Sequence, residues 1–384
     1  MQEVTSLLVQ LNGRTAGRLS RTPDRVTAFE YDPEWLASGF AISPFSLPLK
    51  PGIFKAQYYP FGGLFGIFAD SLPESWGRLL LKRRIARDGI NADDLSVLQR
   101  LSIIGSSGMG ALTYLPETNL AEQGPEPKAG AAHKTLDEIA ALCAAVLKRS
   151  KLEQDAANEL YHLGGATGGS RPKILADIDG EPWLIKFPHP ADDPDLGEAE
   201  YAYAQCARDC GLDMPDTRLF ASKTCSGYFG VRRFDRQDGG IKRVHMASAA
   251  ALLETDAGIP NLDYNDLMQL TLQLTQNYAE VEKMFRLMTF NVFAHNRDDH
   301  SRNFSFICDD NGRWSLSPAY DLTYSNSMAG EHATTVNGNG KNPGSKDLLA
   351  VAHNIGMDLR LARQIVKEIQ EKAQPFAARY RPRH

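Results

Sequence analysis

The chain has few cysteines, no apolar run of membrane length and no excess of positive charge. Its five cysteines, Cys143, Cys206, Cys210, Cys225 and Cys308, form neither an even set nor a repeated spacing, so no disulfide framework is implied. Cys206 and Cys210 lie four apart in a helical pattern, but no second ligand pair accompanies them, and buried structural thiols are expected. No apolar stretch reaches the roughly 18 residues of a membrane span. The opening MQEVTSLLVQLNG lacks the basic region and long apolar run of a secretory leader. The cytoplasm is the expected compartment. A net charge of −5 argues against bulk electrostatic binding to nucleic acid. The basic tail Arg379, Arg381 and Arg383 reads as a solvated terminus.

The composition is that of a soluble globular protein, 42% hydrophobic and 23% charged. A length of 384 residues suits two or three packed units, at roughly 100–200 residues each. The first 50 residues read as β structure, with Asn12-Gly13 between apolar runs as a hairpin signal. Helices are expected in SWGRLLLKRRIARDGI, introduced by Ser71 as N-cap with Pro73 and Glu74, and in ADDLSVLQRLSII up to Gly105. The Pro-, Gly- and charge-rich residues 119–135 read as a linker between an N-terminal subdomain, 1–118, and the rest of the chain. A glycine-rich stretch, HLGGATGGSRPK, then precedes two strands around Asp179-Gly180, a helix LGEAEYAYAQCARDCGL, and the strands LFAS and YFGVRRF. These make up a nucleotide-binding lobe, 136–236. From 237 to 384 the pattern is mostly helical, interrupted by a β pair in NFSFICDDNGRWSLS. The fold class is α+β, with a two-lobed, protein-kinase-like order of elements.

The densest cluster of reactive side chains is HNRDDHSRNFSF, residues 295–306. Phosphoryl transfer needs a carboxylate to orient the attacking hydroxyl, an amide and a second carboxylate on magnesium, and a lysine on the nucleotide phosphates. Asp298 and Asn303 have the D-x-x-x-x-N spacing of a kinase catalytic loop. Asp321, in SPAYDLTYS, follows a strand–turn–strand where the second metal carboxylate of a kinase falls. Lys186, in the apolar strand WLIKFP, needs an anionic partner, and a phosphate or Glu200 on the next helix qualifies. Gly164, Gly165, Gly168 and Gly169 form a loop whose amides can approach phosphates. Phe234 falls where a hinge meets adenine. Each element has a plainer reading: an ordinary loop, an edge-strand lysine, or a hydrolytic metal site at His295 and His300. The two imidazoles are five apart, which is poor for one helix face. Order and spacing together carry the kinase reading.

At these residues the sequence also resembles the HipA family of bacterial kinase toxins. The resemblance runs through LNGRTAGRL, FEYDPEWL, FADSLPESWGRLLLKRR and GMGALTYLP. It continues in GGSRPKILADIDGEPWLIKFP, GEAEYAYAQCARDCGL, FGVRRFDR, RVHMASA, NRDDHSRNFSF and SPAYDLTYS. It implies a kinase-like fold with an added N-terminal subdomain, ATP and Mg2+ as cofactors, and phosphorylation of Ser or Thr. Targets in the family include aminoacyl-tRNA synthetases. A separately encoded helix-turn-helix antitoxin, HipB-like, restrains such toxins and holds the operator DNA. Carried over by position, Asp298 matches the catalytic aspartate, Asn303 and Asp321 the magnesium ligands, and Lys186 the phosphate-contacting lysine. Glu200 matches the acidic residue on the following helix, Phe234 the hinge, Asp235 a polar residue near the ribose, and His300 a loop-supporting histidine. Two departures stand out. Arg232 replaces a glutamate frequent two residues before the hinge. Ala166 occupies the position of an autophosphorylated serine, seven residues before Lys173. Thr167 and Ser170 are the remaining hydroxyls of that loop. The alternative function is a nucleotide-binding scaffold that acts with the antitoxin in transcriptional repression. A metal-dependent phosphohydrolase is a third reading.

Overall fold

The computed structural model describes residues 3–86, 88–116, 134–148, 153–164, 167–327 and 330–380. Most of the expected linker, together with Gly165, Ala166, Arg381 and Arg383, lies outside the described residues. The chain divides into two compact units, residues 1–198 with 217–246, and residues 199–216 with 247–384.

The first unit holds two larger antiparallel sheets and a two-stranded ribbon of Arg236–Gln237 with Lys242–Arg243. In one sheet, the strands lie in the order Ile53–Lys55, Thr27–Tyr31, Arg14–Arg21, Ser6–Leu11, Leu112–Leu115. Alternation along Ser6–Leu11 sends Leu7, Val9 and Leu11 into the core. The Asn12-Gly13 hairpin forms as the sequence predicts, with φ of 49° and 80° at the two turn residues. The helix Val97–Ile104 opens with a Ser96/Gln99 capping box and stops at Gly105. Ser71 departs from expectation. Its hydroxyl meets the Tyr114 phenol at 2.6 Å, and the helix begins only at Ser75.

The second sheet runs Lys173–Ile178, Glu181–Lys186, Tyr228–Arg232, Thr217–Phe220. The predicted strand YFGVRRF stops at Arg232, which leaves Phe234 in the turn beyond it. One core joins the two halves of this unit. Trp76 and Leu80, from the helix Ser75–Ala86, pack with Ile139, Leu160, Ile174, Ile185 and Phe187. Arginines add a polar seam. Arg243 donates to the carbonyls of Ser106, Gly108 and Gly110, and Arg236 to those of Gly108 and Gly110. The buried Gly108 and Gly110 need such donors for their carbonyls, and a guanidinium supplies five N–H groups in one plane.

The second unit is mainly helical, with Tyr264–Thr275, Tyr278–Phe293, Ser345–Asn354 and Leu359–Ala377 as its principal helices. Phe285, Met288 and Phe290 of the second of these are fully buried with Ile365 and Ile369 of the last. Ser305–Cys308 and Trp314–Leu316 form the expected β pair. Leu262–Asp263 pairs in parallel with Thr334–Thr335. Among the described residues, no helix is long and apolar enough to cross a membrane.

Candidate active site

In the second unit, the helix Tyr278–Phe293 ends at Ala294 and the chain turns at His295, whose φ is 54°. Residues 295–300 then run in extended or irregular form into a short turn of helix, Ser301–Asn303. His300 starts that turn, its Nδ1 accepting from the Arg302 amide at 3.3 Å. The Asp298 carboxylate projects outward, with 63% of the side chain exposed, and His300 Nε2 lies 4.0 Å from it. The Asn303 side-chain amide donates to the Asp298 carbonyl at 2.6 Å, so the two members of the D-x-x-x-x-N spacing are tied together. Asp299 points the opposite way, into the protein.

Asp321 is half-buried and takes φ of 57°, an uncommon conformation for a non-glycine residue and one that recurs at functional sites. Four residues on, the chain meets the loop of Asp298. The Ser325 amide donates to the His295 carbonyl at 3.0 Å, and the Arg297 amide to the Ser325 carbonyl at 3.3 Å. Tyr324 stacks on His295 with ring centroids 4.7 Å apart. The two segments carrying Asp298, Asn303 and Asp321 are therefore paired. Glu200 is buried on the helix Leu196–Asp209, within the part of that helix that belongs to this unit.

In the first unit, Lys186 closes its strand, half-buried, with Nζ 5.5 Å from the Phe229 ring. A cation over an aromatic face is stabilised by the ring quadrupole. The glycine-rich loop is held from two sides. Gly169 has φ of 82°, its amide donates to the Glu74 carboxylate, and its carbonyl accepts from the Trp76 amide at 3.2 Å. Trp76 Nε1 reaches the Lys173 carbonyl at 3.1 Å, and Lys173 Nζ donates to the Gly168 carbonyl at 2.7 Å. Gly168 is exposed; a Cβ there would lie 3.3 Å from the Glu74 carboxylate. Thr167 is fully buried, its hydroxyl donating to the Gly164 carbonyl at 2.9 Å, whereas Ser170 is exposed. Phe234 is half-buried. Asp235 is buried between Arg233 and Arg236 and accepts from the Gly110 amide at 2.8 Å. Burial raises its pKa, but the two guanidinium charges and the amide outweigh this and hold it below the usual carboxylate range.

Sequence reasoning missed Glu74 and Trp76, which it read as helix-start residues. The signal was there in L-P-E-S-W, where a polar residue at a helix start can serve a neighbouring loop instead of its own helix. Among the described residues, no three His, Cys, Asp or Glu side chains gather as a metal cluster. A divalent ion at Asn303 and Asp321 would have two protein oxygens and would draw its other ligands from phosphate and water, the usual arrangement for magnesium.

The family model for the HipA-like C-terminal domain matches residues 165–376, and that for the HipA N-terminal domain matches residues 7–115. Two Sinorhizobium fredii relatives carry the names "Putative kinase Y4dM" and "Putative kinase Y4mE". The first is 26% identical over 84% of this chain and 78% of its own length, the second 29% identical over 83% and 77%. A solved structure of the Shewanella oneidensis toxin–antitoxin system, HipA with HipB and operator DNA, is similar in fold. Its TM-score is 0.67, with 18% identity, over 98% of this chain and 92% of that one. With both family models matched in order, and the C-terminal one spanning more than half of the sequence, this chain belongs to the HipA family.

Proposed function

We propose that the chain is a serine/threonine protein kinase that transfers the γ-phosphoryl group of ATP, with magnesium, to a cytosolic protein. One observation carries the reading. The exposed Asp298 carboxylate sits on a loop whose backbone is held by Asn303 and paired with the segment that follows Asp321. An outward carboxylate on a loop with an amide, joined through backbone to a segment that carries a second acid, supplies the residue types that phosphoryl transfer requires.

In this reading Asp298 orients the acceptor hydroxyl and takes its proton, with His300 supporting the turn beside it. Asn303 and Asp321 offer hard oxygen ligands suited to magnesium, which when bound neutralises phosphate charge. Lys186 contacts the nucleotide phosphates as a point charge, Gly168 and Gly169 line them with backbone, and Glu200 serves as the acidic partner on the following helix. Phe234 meets adenine through its backbone. Asp235, committed to two arginines, supports this hinge rather than reaching for the ribose itself. Ser170, the exposed hydroxyl of the loop, is a better autophosphorylation site than the buried Thr167. The division into 1–118, 119–135, 136–236 and 237–384 belongs to the same proposal.

The partner proposed is a helix-turn-helix, HipB-like antitoxin through which operator DNA is reached, and the substrate class includes aminoacyl-tRNA synthetases. The test is to incubate the protein with labelled ATP, magnesium and host lysate. A labelled acceptor that vanishes with Asp298→Asn supports the kinase. Free phosphate without any labelled protein would favour a hydrolase, and ATP binding with neither product would favour the scaffold.

A further inference from the structure

Asp299 makes no contribution to the chemistry assigned to the site, yet it is the most heavily engaged acid of the loop. Its side chain is fully buried. Oδ2 accepts from the Tyr264 hydroxyl at 2.8 Å and lies 2.8 Å from His332 Nδ1. Oδ1 accepts from the amides of Ala333 at 2.8 Å and Thr334 at 3.3 Å. The Asp299 carbonyl accepts from the Thr334 hydroxyl at 2.6 Å. A buried carboxylate is costly unless its lone pairs are satisfied, and here four donors converge on two oxygens.

The network does not stop at Asp299. Asn296 Nδ2 donates to Asn291 Oδ1 at 3.0 Å, and Asn291 Nδ2 donates to the Tyr264 hydroxyl at 3.0 Å. The bonds therefore run in one direction, from Asn296 through Asn291 and Tyr264 to Asp299, so each donor polarises the next. Burial and the nearby Asp299 charge raise the Tyr264 pKa well above its ordinary value, which keeps its hydroxyl a donor. Asn296 and Asp299 flank Arg297 and Asp298. Both flanks are thus tied to the same buried scaffold on the helices Tyr264–Thr275 and Tyr278–Phe293, while Asp298 between them faces outward. The far side of Asp299 is the segment 332–334, which itself is fixed by the Ala333 amide on the Arg297 carbonyl at 3.2 Å and by the parallel bridge to Leu262–Asp263.

We propose that Asp299 is a positioning residue, which acts with Tyr264 and residues 332–334 to aim the Asp298 carboxylate. This inference rests on the kinase reading. A misplacement of about 1 Å in a reacting group costs on the order of 100-fold in rate, and a carboxylate on a loop has that precision only if both flanks are fixed. Substrate and nucleotide contacts are not involved, so binding stays as it is.

The test uses the full chain with Tyr264→Phe, which keeps the ring and its edge-on packing with Phe304, and with Thr334→Val. Asp298→Asn is the control. Initial rates of label transfer to host-lysate protein are measured across a magnesium-ATP series, with ATP affinity by calorimetry and hydrogen exchange by mass spectrometry. Tyr264→Phe is expected to lower the maximal rate about 10–100-fold with the half-saturating ATP concentration and ATP affinity unchanged. Exchange should rise in 296–299 and 332–335 while the helix Tyr278–Phe293 keeps its protection. Wild-type rates in both variants, with Asp298→Asn inactive, overturn the positioning role and leave the kinase reading intact. Loss of ATP affinity together with protection throughout the unit would mean that the network only holds the fold, and would overturn it as well. A wild type that transfers no label sinks the kinase reading and the inference with it.

Discussion

Asp298 and Asp299 are adjacent and chemically identical, yet one carboxylate is 63% exposed and the other fully buried. Replacing the exposed one removes the proposed proton acceptor without opening a cavity. Asp298→Asn should keep stability and ATP binding and lower transfer by about 10²–10⁴-fold, as expected for a lost general base. Rates from single-turnover labelling check this, and undiminished transfer would remove Asp298 from the mechanism. The sequence made the spacing of Asp298, Asn303 and Asp321 legible, because spacing is local. It could not say which of two neighbouring acids faces out, since that depends on Tyr264 and His332, 34 residues before and 34 after Asp298 in sequence. A second residue-scale consequence concerns pH. His245 is buried, its Nε2 2.8 Å from the Ile42 carbonyl, and burial lowers its pKa from 6.5 to about 4 although that hydrogen bond opposes the shift. Between pH 6.5 and 4 the unfolded chain binds a proton here that the folded chain does not. Stability contributed by neutral His245 is therefore complete above pH 6.5 and lost as pH falls towards 4, by roughly 3 kcal/mol in all. Urea midpoints from pH 7 to 4.5 should fall less steeply for His245→Gln than for the wild type.

At the scale of elements, the glycine-rich loop and the helix Ser75–Ala86 form one polar joint. The sequence signalled both pieces, the loop by its glycines and the helix by its N-cap, proline and glutamate signals, but not the joint. Glu74 and Gly169 are 95 residues apart, and a carboxylate bonding a remote amide leaves no periodic trace. Glu74→Ala should cost about 1–3 kcal/mol, the range for a charge-assisted hydrogen bond whose partner amide is left behind. Hydrogen exchange at 167–170 should rise with it, and an unchanged exchange rate there would mean that the loop is held by Trp76 and Lys173 alone. A close approach of backbones fixes another element. A Cβ on Gly197, at the start of the helix Leu196–Asp209, would lie 2.1 Å from the Gly227 carbonyl. Gly197→Ala should therefore destabilise by about 1–3 kcal/mol through overpacking, visible as a lowered thermal midpoint.

At the scale of the whole molecule, the residues before 117 share one compact unit with residues 134–198 and 217–246, across a segment whose composition reads as a linker. Composition reports only what a segment is made of. The Trp76 and Leu80 packing and the arginine–carbonyl seam come from elements far apart in sequence. A chain interrupted between Pro116 and Lys134 should consequently reassemble. Fragments 1–116 and 134–384, produced together, are expected to copurify through a tag on either one. Separate purification of two well-folded fragments would contradict the shared core.

The arginine seam also sets an order of events during synthesis. Arg243 follows Gly110 by 133 residues, so Gly110, Gly108 and Ser106 leave the ribosome long before the guanidinium that will cover their carbonyls. At roughly 5–20 residues per second, that interval is on the order of 7–27 s. During it the carbonyls of Ser106, Gly108 and Gly110 are without the guanidinium donors that will cover them, a window in which a ribosome-associated chaperone, or the same segment of a neighbouring nascent chain, competes for them.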